Sequence, residues 1–164
     1  MKIQSLQDLF VETLEDLYSA ENQIEEALPK MEEAAHDPAL KQGFQMHLDQ
    51  THHQKDRLDQ IFQEMSMHPK SKTCKGMEGI ISEGSELMHD TIDAEVRDAG
   101  LLGAAQKVEH YEISGYGTAR TFASRLGYTN AAMLLQQTLD EEKQTDEKLT
   151  RLAESGINQQ AKTS

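Results

Sequence analysis

The stretch Val108-Glu109-His110-Tyr111-Glu112-Ile113 places two acidic residues inside the apolar stripe of a long predicted helix. Apolar residues recur around it at spacings of three and four, which is the pattern of one helix face. The pattern predicts a helix over about 94–126, and Gly127 is a suitable residue to end it. An acid in such a stripe is usually an edge residue that reaches water, because a buried charge is costly unless it is paired or bound to a metal.

Three further helices are predicted by the same spacing. They cover about 4–35, 38–66 and 130–155, and Asp37 followed by Pro38 is a favourable start for the second. The composition agrees, since the chain has only 3 prolines and 5% aromatic residues and is rich in helix formers such as leucine, alanine and glutamate. The predicted fold class is therefore all-α.

The lengths of the links predict how the four helices are arranged. The links within the first pair and within the last pair are very short, so each pair is expected to form an antiparallel hairpin. The middle link spans 67–93 and contains a short amphipathic helix over about 76–89. Two hairpins joined by one long crossover form a ferritin-like four-helix bundle. One domain is predicted over 1–156, with a frayed tail at 157–164.

The charge of the chain excludes several classes of partner. The 164 residues include 16 lysines and arginines against 29 aspartates and glutamates, a net charge of -13. Such a surface repels nucleic acid and anionic lipid. No segment approaches the roughly 20 apolar residues of a membrane span, and the first residues lack a secretory signal pattern. The single cysteine, Cys74, excludes an internal disulfide and suits a reducing compartment, so a cytoplasmic location is expected.

Each predicted helix interrupts its apolar stripe near its midpoint with potential metal ligands. Those residues are Glu21, Asp49 with His52, Glu109 with Glu112, and Glu142 with Asp146. The midpoints of four similar helices meet at one level of a bundle, where clustered carboxylates repel one another unless cations neutralise them. Carboxylates with imidazole suit a pair of divalent ions, with iron favoured and manganese or zinc as alternatives. The neighbouring His47, His53 and His110 are interpreted as polar-face residues, although His53 could replace His52.

Four segments of the chain also match a known pattern. They are Tyr18-Ser19-Ala20-Glu21, Thr51-His52, Ala105-Gln106-Lys107-Val108-Glu109-His110-Tyr111-Glu112 and Glu141-Glu142-Lys143. Over roughly residues 5–155 the chain resembles the bacterial, stress-associated YciF family of ferritin-like proteins, and Lys107 to Glu112 is the most specific part. The resemblance implies a fold and a metal box similar to those of rubrerythrins, and a role in stress.

The resemblance also implies a ligand for each helix. By position these are Glu21, the pair Asp49 and His52, the pair Glu109 and Glu112, and the bridging Glu142. Two positions depart from the pattern. Asp49 is one methylene shorter than the usual glutamate, and Thr145 stands where a histidine is usual, with Asp146 next to it on the same face. The expected site is therefore rich in oxygen ligands and asymmetric.

These features predict a dinuclear metal centre, with iron as the favoured metal, that reduces peroxide or dioxygen during stress. The alternative is a non-enzymatic stress protein, a helical dimer whose metal site is structural or vestigial. Iron storage in a cage is disfavoured, because the sequence shows no pore or cage contact. A homodimer is expected from the apolar residues of 77–88, and the electron donor is not identified.

Overall fold

The four stripes of apolar residues form four long helices. The computed structural model describes residues 3–89 and 91–163, and those ranges contain no β-strand. The helices are α1 (Leu6–Ala34), α2 (Pro38–Glu64), α3 (Lys75–Ser85), α4 (Ala94–Leu126), α5 (Thr129–Leu152) and α6 (Asn158–Thr163), with a π-helical segment at Ala153–Ile157 between the last two. The prediction of an all-α helical bundle is confirmed.

Local sequence signals set the ends of the long helices. The side chain of Asp37 accepts hydrogen bonds from the backbone N–H groups of Ala39 and Leu40, and Pro38 occupies the first turn of α2. Gly127 ends α4 with a φ of 83°, a left-handed conformation that favours glycine. Each of the two hairpin links is consequently only a few residues long.

Contacts between the helices show the direction of each one. Along α1 and α4, Tyr116 contacts Glu21 while Asp98 accepts hydrogen bonds from the backbone of His36, so these two helices are antiparallel. The pairs α1–α2 and α2–α5 are antiparallel by the same criterion. Helices α2 and α4 therefore run parallel, as one long crossover between two hairpins requires.

The crossover helix α3 is part of the bundle. It ends at Ser85, four residues before the predicted end of the short helix. Met77 is fully buried, and the remaining apolar residues of this segment pack against the core. The apolar residues of 77–88 are thus buried or partly buried against the chain itself, and the homodimer stays a prediction.

The core consists of two apolar clusters at opposite ends of the bundle. Cluster A includes Ile24, Phe44, Met77, Leu101 and Leu149. Cluster B includes Phe10, Leu14, Phe62, Ala119 and Leu135. On α2, α4 and α5 a polar stretch near the middle of the helix separates the residues of the two clusters, whereas on α1 Glu21 follows Ala20 of cluster A. The bundle therefore has an apolar–polar–apolar core.

The C-terminal segment differs from the predicted frayed tail. The chain remains helical through Thr163, and Ile157 is only 3% exposed. Ile157 belongs to cluster A, so burial of its side chain favours order in a segment whose polar composition suggested fraying.

Candidate metal centre

Five ionisable side chains converge between clusters A and B. They are Glu21 from α1, His47 from α2, Glu109 and Glu112 from α4, and Glu142 from α5, and we call them the carboxylate layer. All five are at most 3% exposed. A spacing of three residues puts the two α4 carboxylates on the same side of the helix. The long helices thus place four acids and one imidazole away from solvent.

His47 lies at the centre of the carboxylate layer. Its Nδ1 atom is 3.1 Å from Oε1 of Glu109. Its Nε2 atom is 3.8 Å from Oε2 of Glu112 and 4.0 Å from Oε2 of Glu142. One ligand atom from each of these four residues lies within 4.8 Å of all the others. This spacing is close enough for the four side chains to share a metal ion.

Burial sets the protonation of these groups. It raises the pKa of Glu21 to about 8, and the negative charge of Glu142 adds to the rise. Burial also raises the pKa of Glu109 and of Glu112 well above the usual range, with Glu142 again contributing. The pKa of His47 is lowered by burial, which favours the neutral imidazole that binds metals. In the metal-free protein, these raised pKa values favour the neutral, protonated carboxyl groups, and ionising them inside the layer is unfavourable.

Most donor atoms of the carboxylate layer have no hydrogen-bond partner. Seven such atoms are Oε2 of Glu21, Nε2 of His47, both oxygens of Glu109, both oxygens of Glu112, and Oε2 of Glu142. The contact between His47 and Glu109 is short but does not meet hydrogen-bond geometry. Buried polar atoms nearly always have a hydrogen-bond partner. Seven ligand atoms that lack one, all within the carboxylate layer, therefore suit a bound cation.

Neutral and basic side chains form hydrogen bonds to glutamates at the outer side of the layer. Tyr116 donates its hydroxyl hydrogen to Oε1 of Glu21, and the Nε2 group of Gln54 donates to Oε1 of Glu142. Arg57 binds both oxygens of Glu141 at 2.8 and 2.6 Å. These bonds leave one oxygen of Glu21 and one of Glu142 directed to the interior, as orienting groups around a metal do.

A comparison with protein families identifies the group to which this fold belongs. Residues 5–162 match the family model described as "Domain of unknown function (DUF892)". The chain belongs to the DUF892 family. One relative, Protein YciF from Escherichia coli strain K12, is 48% identical over 162 residues, which cover 98% of each chain. The sequence-based identification of the YciF family is therefore confirmed.

Solved structures share the DUF892 fold. The crystal structure of the E. coli stress protein YciF matches with a TM-score of 0.91 at 48% identity, covering 95% of this chain and 99% of that one. YcfI from Rhodopseudomonas palustris matches with a TM-score of 0.88 at 41% identity, covering 91% and 95%. A protein from Xanthomonas campestris, 20% identical with a TM-score of 0.73 and 92% coverage of both chains, shares the fold alone. Within the described ranges, no helix combines the length and apolar character of a membrane span.

Four of the predicted ligands lie together in this DUF892 protein. The structure brings Glu21, Glu109, Glu112 and Glu142 into the carboxylate layer. The prediction for α2 is wrong, because Asp49 and His52 lie on the outer face of that helix. Asp49 is exposed, and the half-exposed His52 forms an ion pair with Glu25 at 3.0 Å. Packing of α2 against α1 and α5 turns both residues away from the interior.

Asp146 is also outside the carboxylate layer. Its carboxylate lies 3.2 Å from Nε2 of His110 and accepts a hydrogen bond from Gln106 at 3.3 Å. It therefore does not replace the histidine that the family pattern places at Thr145. The side chain of Thr145 instead donates to Oε1 of Gln50 at 3.1 Å.

His47 is the functional residue that sequence reasoning missed. The sequence favours a polar-face or hydrogen-bonding role for it, yet it is 3% exposed and lies among the carboxylates. The periodicity of α2 indicates that His47 is buried, because the buried positions of this helix recur every three or four residues. They are Leu40, Phe44, His47, Thr51, Gln54, Leu58 and Ile61. Extending that series from its apolar ends would have placed His47 inside the bundle.

Proposed function

We propose that this protein protects cells during stress by binding two divalent metal ions in the carboxylate layer, with iron as the working metal. The observation that carries the proposal is the set of seven unsatisfied donor atoms on four carboxylates and one imidazole. Relatedness to the E. coli stress protein YciF supports the link to stress.

Charge supports a count of two ions. Four ionised carboxylates carry a charge of four minus, and the buried imidazole is neutral, so two divalent cations would balance the layer. Seven donor atoms also exceed the six positions of one octahedral ion. Carboxylate oxygens with one imidazole nitrogen form a ligand set that suits iron and manganese, and also zinc.

The surrounding residues suit a redox role. Two ferrous ions together supply the two electrons that convert hydrogen peroxide to water, with two protons, or dioxygen to peroxide. Clusters A and B exclude water from both sides of the layer. The hydroxyl of Tyr116 and the amide of Gln54 fix two of the carboxylates, so the ligands keep their positions when the charge at the centre changes.

Metal analysis tests the proposal directly. Purified protein, stripped with a chelator and reloaded with ferrous iron without oxygen, is expected to bind two ions per chain and to consume peroxide. The Glu109→Gln variant is expected to lose metal and turnover together. Asp49→Asn is a matched control, because it makes the same chemical change on the exposed face of α2. Failure of the reloaded wild-type protein to bind metal would refute the proposal.

One observation favours a second candidate, a structural metal site. The buried polar positions of α2 beyond His47 are Thr51 and Gln54, which carry no charge, so α2 contributes only one strong ligand. A structural role predicts that Glu112→Gln lowers the melting temperature and the metal content. Under this alternative, the wild-type protein loaded with iron would show no peroxide consumption above free iron.

A further inference from the structure

A narrow crevice connects the surface of the bundle with His47. It lies between α2 and α5, and its volume is about 40 Å³. The exposed side chains of Met46 and Lys148 line its outer part, while His47 and Ala105 line its inner part. The crevice therefore gives access from solvent to the one imidazole of the carboxylate layer.

A second void continues on the far side of His47. Its volume is about 10 Å³, and it lies among apolar side chains of α1, α3 and α4, including Ile24, Leu28 and Val108. His47 and Ala105 line both spaces. The two spaces thus share part of their walls beside His47, and we refer to them together as the apolar path.

The size of this path limits what can use it. Sites for organic ligands have volumes of about 300–1,000 Å³. A space of about 40 Å³ holds only a molecule of two to four heavy atoms, since a single water needs roughly 10–15 Å³ measured in this way. An organic substrate is therefore excluded from the path.

The lining determines which small molecule is favoured. Phe44, Leu149 and Leu152 line the crevice, and the surface that it presents is mostly apolar. The hydroxyl of Thr145 is already bonded to the side-chain oxygen of Gln50. Away from the Nε2 atom of His47, a polar molecule would lose hydrogen bonds to water without replacing them in the crevice, whereas an apolar diatomic molecule would not.

We propose that the crevice between α2 and α5 is the binding site and access route for dioxygen. This inference rests on the proposed function and deepens its dioxygen reaction, because it names the route by which dioxygen reaches the carboxylate layer. Hydrogen peroxide, which is polar and forms hydrogen bonds with water, is disfavoured on this path.

Xenon tests the crevice without reference to activity, because it occupies apolar cavities of small size. Crystals of the wild-type protein under xenon pressure are expected to show an atom in the crevice beside His47. The Gly43→Leu variant is expected to lose it, since Gly43 lines the crevice and a Cβ atom there meets nothing within 4 Å. Gly103→Leu is the matched control, because it is also an open helical glycine but does not line the crevice. Absence of xenon in the wild-type crystals, or its retention in Gly43→Leu, would overturn the proposal.

Oxidation kinetics test the assignment to dioxygen. Ferrous-loaded Gly43→Leu is expected to be oxidised by dioxygen about tenfold more slowly than the wild type, which corresponds to about 1.4 kcal/mol in the barrier. The Gly103→Leu control is expected to match the wild type, and metal content should be equal in all three proteins. An unchanged rate in Gly43→Leu contradicts the access route. Failure to load iron instead refutes the proposed function and the role of the crevice with it, whatever xenon shows.

Discussion

The apolar clusters and the carboxylate layer are built from the same four helices but contribute to the protein in opposite ways. In cluster B, side chains such as Phe10, Leu14 and Leu58 are completely buried and need no polar partner. In the layer, side chains that are equally buried leave seven donor atoms unsatisfied. The clusters therefore stabilise the fold, whereas the layer lowers the stability of the metal-free protein and forms a group that could hold a metal ion.

The position of the layer explains how the fold tolerates it. Apolar packing on both sides holds the four helices together, so the central charges cannot move apart to reach water. Burial of these groups lowers the free energy of unfolding. Binding of a cation to the folded state alone raises it again. The apolar clusters thus provide the stability of the fold, and the carboxylate layer provides its potential to bind a cation.

The largest expected effect comes from a break in an apolar cluster. Phe62 is 1% exposed, and its ring packs edge-on against Tyr18 with centroids 6.2 Å apart. Phe62→Ala should lower the free energy of unfolding by about 3–5 kcal/mol, because it leaves a cavity in a packed core. Urea denaturation with and without metal measures the change. A loss below 1 kcal/mol would show that cluster B is not a main source of stability.

The pH dependence of stability separates the layer from the clusters. The folded pKa of Glu21 is raised to about 8 from 4.5, so the unfolded chain releases this proton first as the pH rises. The contribution of Glu21 to the stability of the metal-free protein should therefore be largest below pH 4.5 and should fall as the pH rises toward 8. Metal affinity should change in the opposite direction, because the ligands must be deprotonated.

Thermal melts of chelated and metal-loaded protein between pH 5 and 8 test this expectation, with Glu21→Gln as the comparison variant. The substitution should reduce the pH dependence of the chelated protein. Equal pH dependence in wild type and variant would show that Glu21 does not titrate in this range.

Removal of one carboxylate also tests the difference between the carboxylate layer and the apolar clusters. Glu109→Gln should stabilise the chelated protein by about 1–3 kcal/mol at alkaline pH, because burial raises the pKa of Glu109 well above its usual range and glutamine has no carboxyl group to ionise there. The same variant should gain less stability on addition of metal than the wild type does. Chemical denaturation in both states provides the measurement, and a destabilised chelated variant would argue against strain in the layer.

The smallest effect is expected outside both regions. His52→Ala should change stability by less than about 0.5 kcal/mol and leave metal content unchanged, because its side chain is 50% exposed and pairs only with surface groups. His47→Ala, the same substitution one and a half turns earlier, should remove metal. Loss of metal in both variants would mean that the outer face of α2 contributes to the site after all.

Much of the architecture could be predicted because its signals are local. Asp37 followed by Pro38 starts α2, and Gly127 ends α4, at the positions that capping chemistry favours. The apolar spacing identified each long helix, and the short links identified the hairpins. The end of the chain was not predictable in this way, since Ile157 is ordered by contacts with residues distant in sequence.

The sequence by itself determined the four amphipathic helices, their pairing and the acids on α1, α4 and α5, because each of these features depends on periodicity along one helix. Only the tertiary structure decided which face of α2 turns inward. Leu48 beside His47 is half-buried, so α2 has two plausible polar stripes, one through Asp49 and His52 and the other through His47 and Gln54. Successive residues are rotated by about 100° around a helix, so packing of α2 against α1 and α5 selects one stripe and exposes the other.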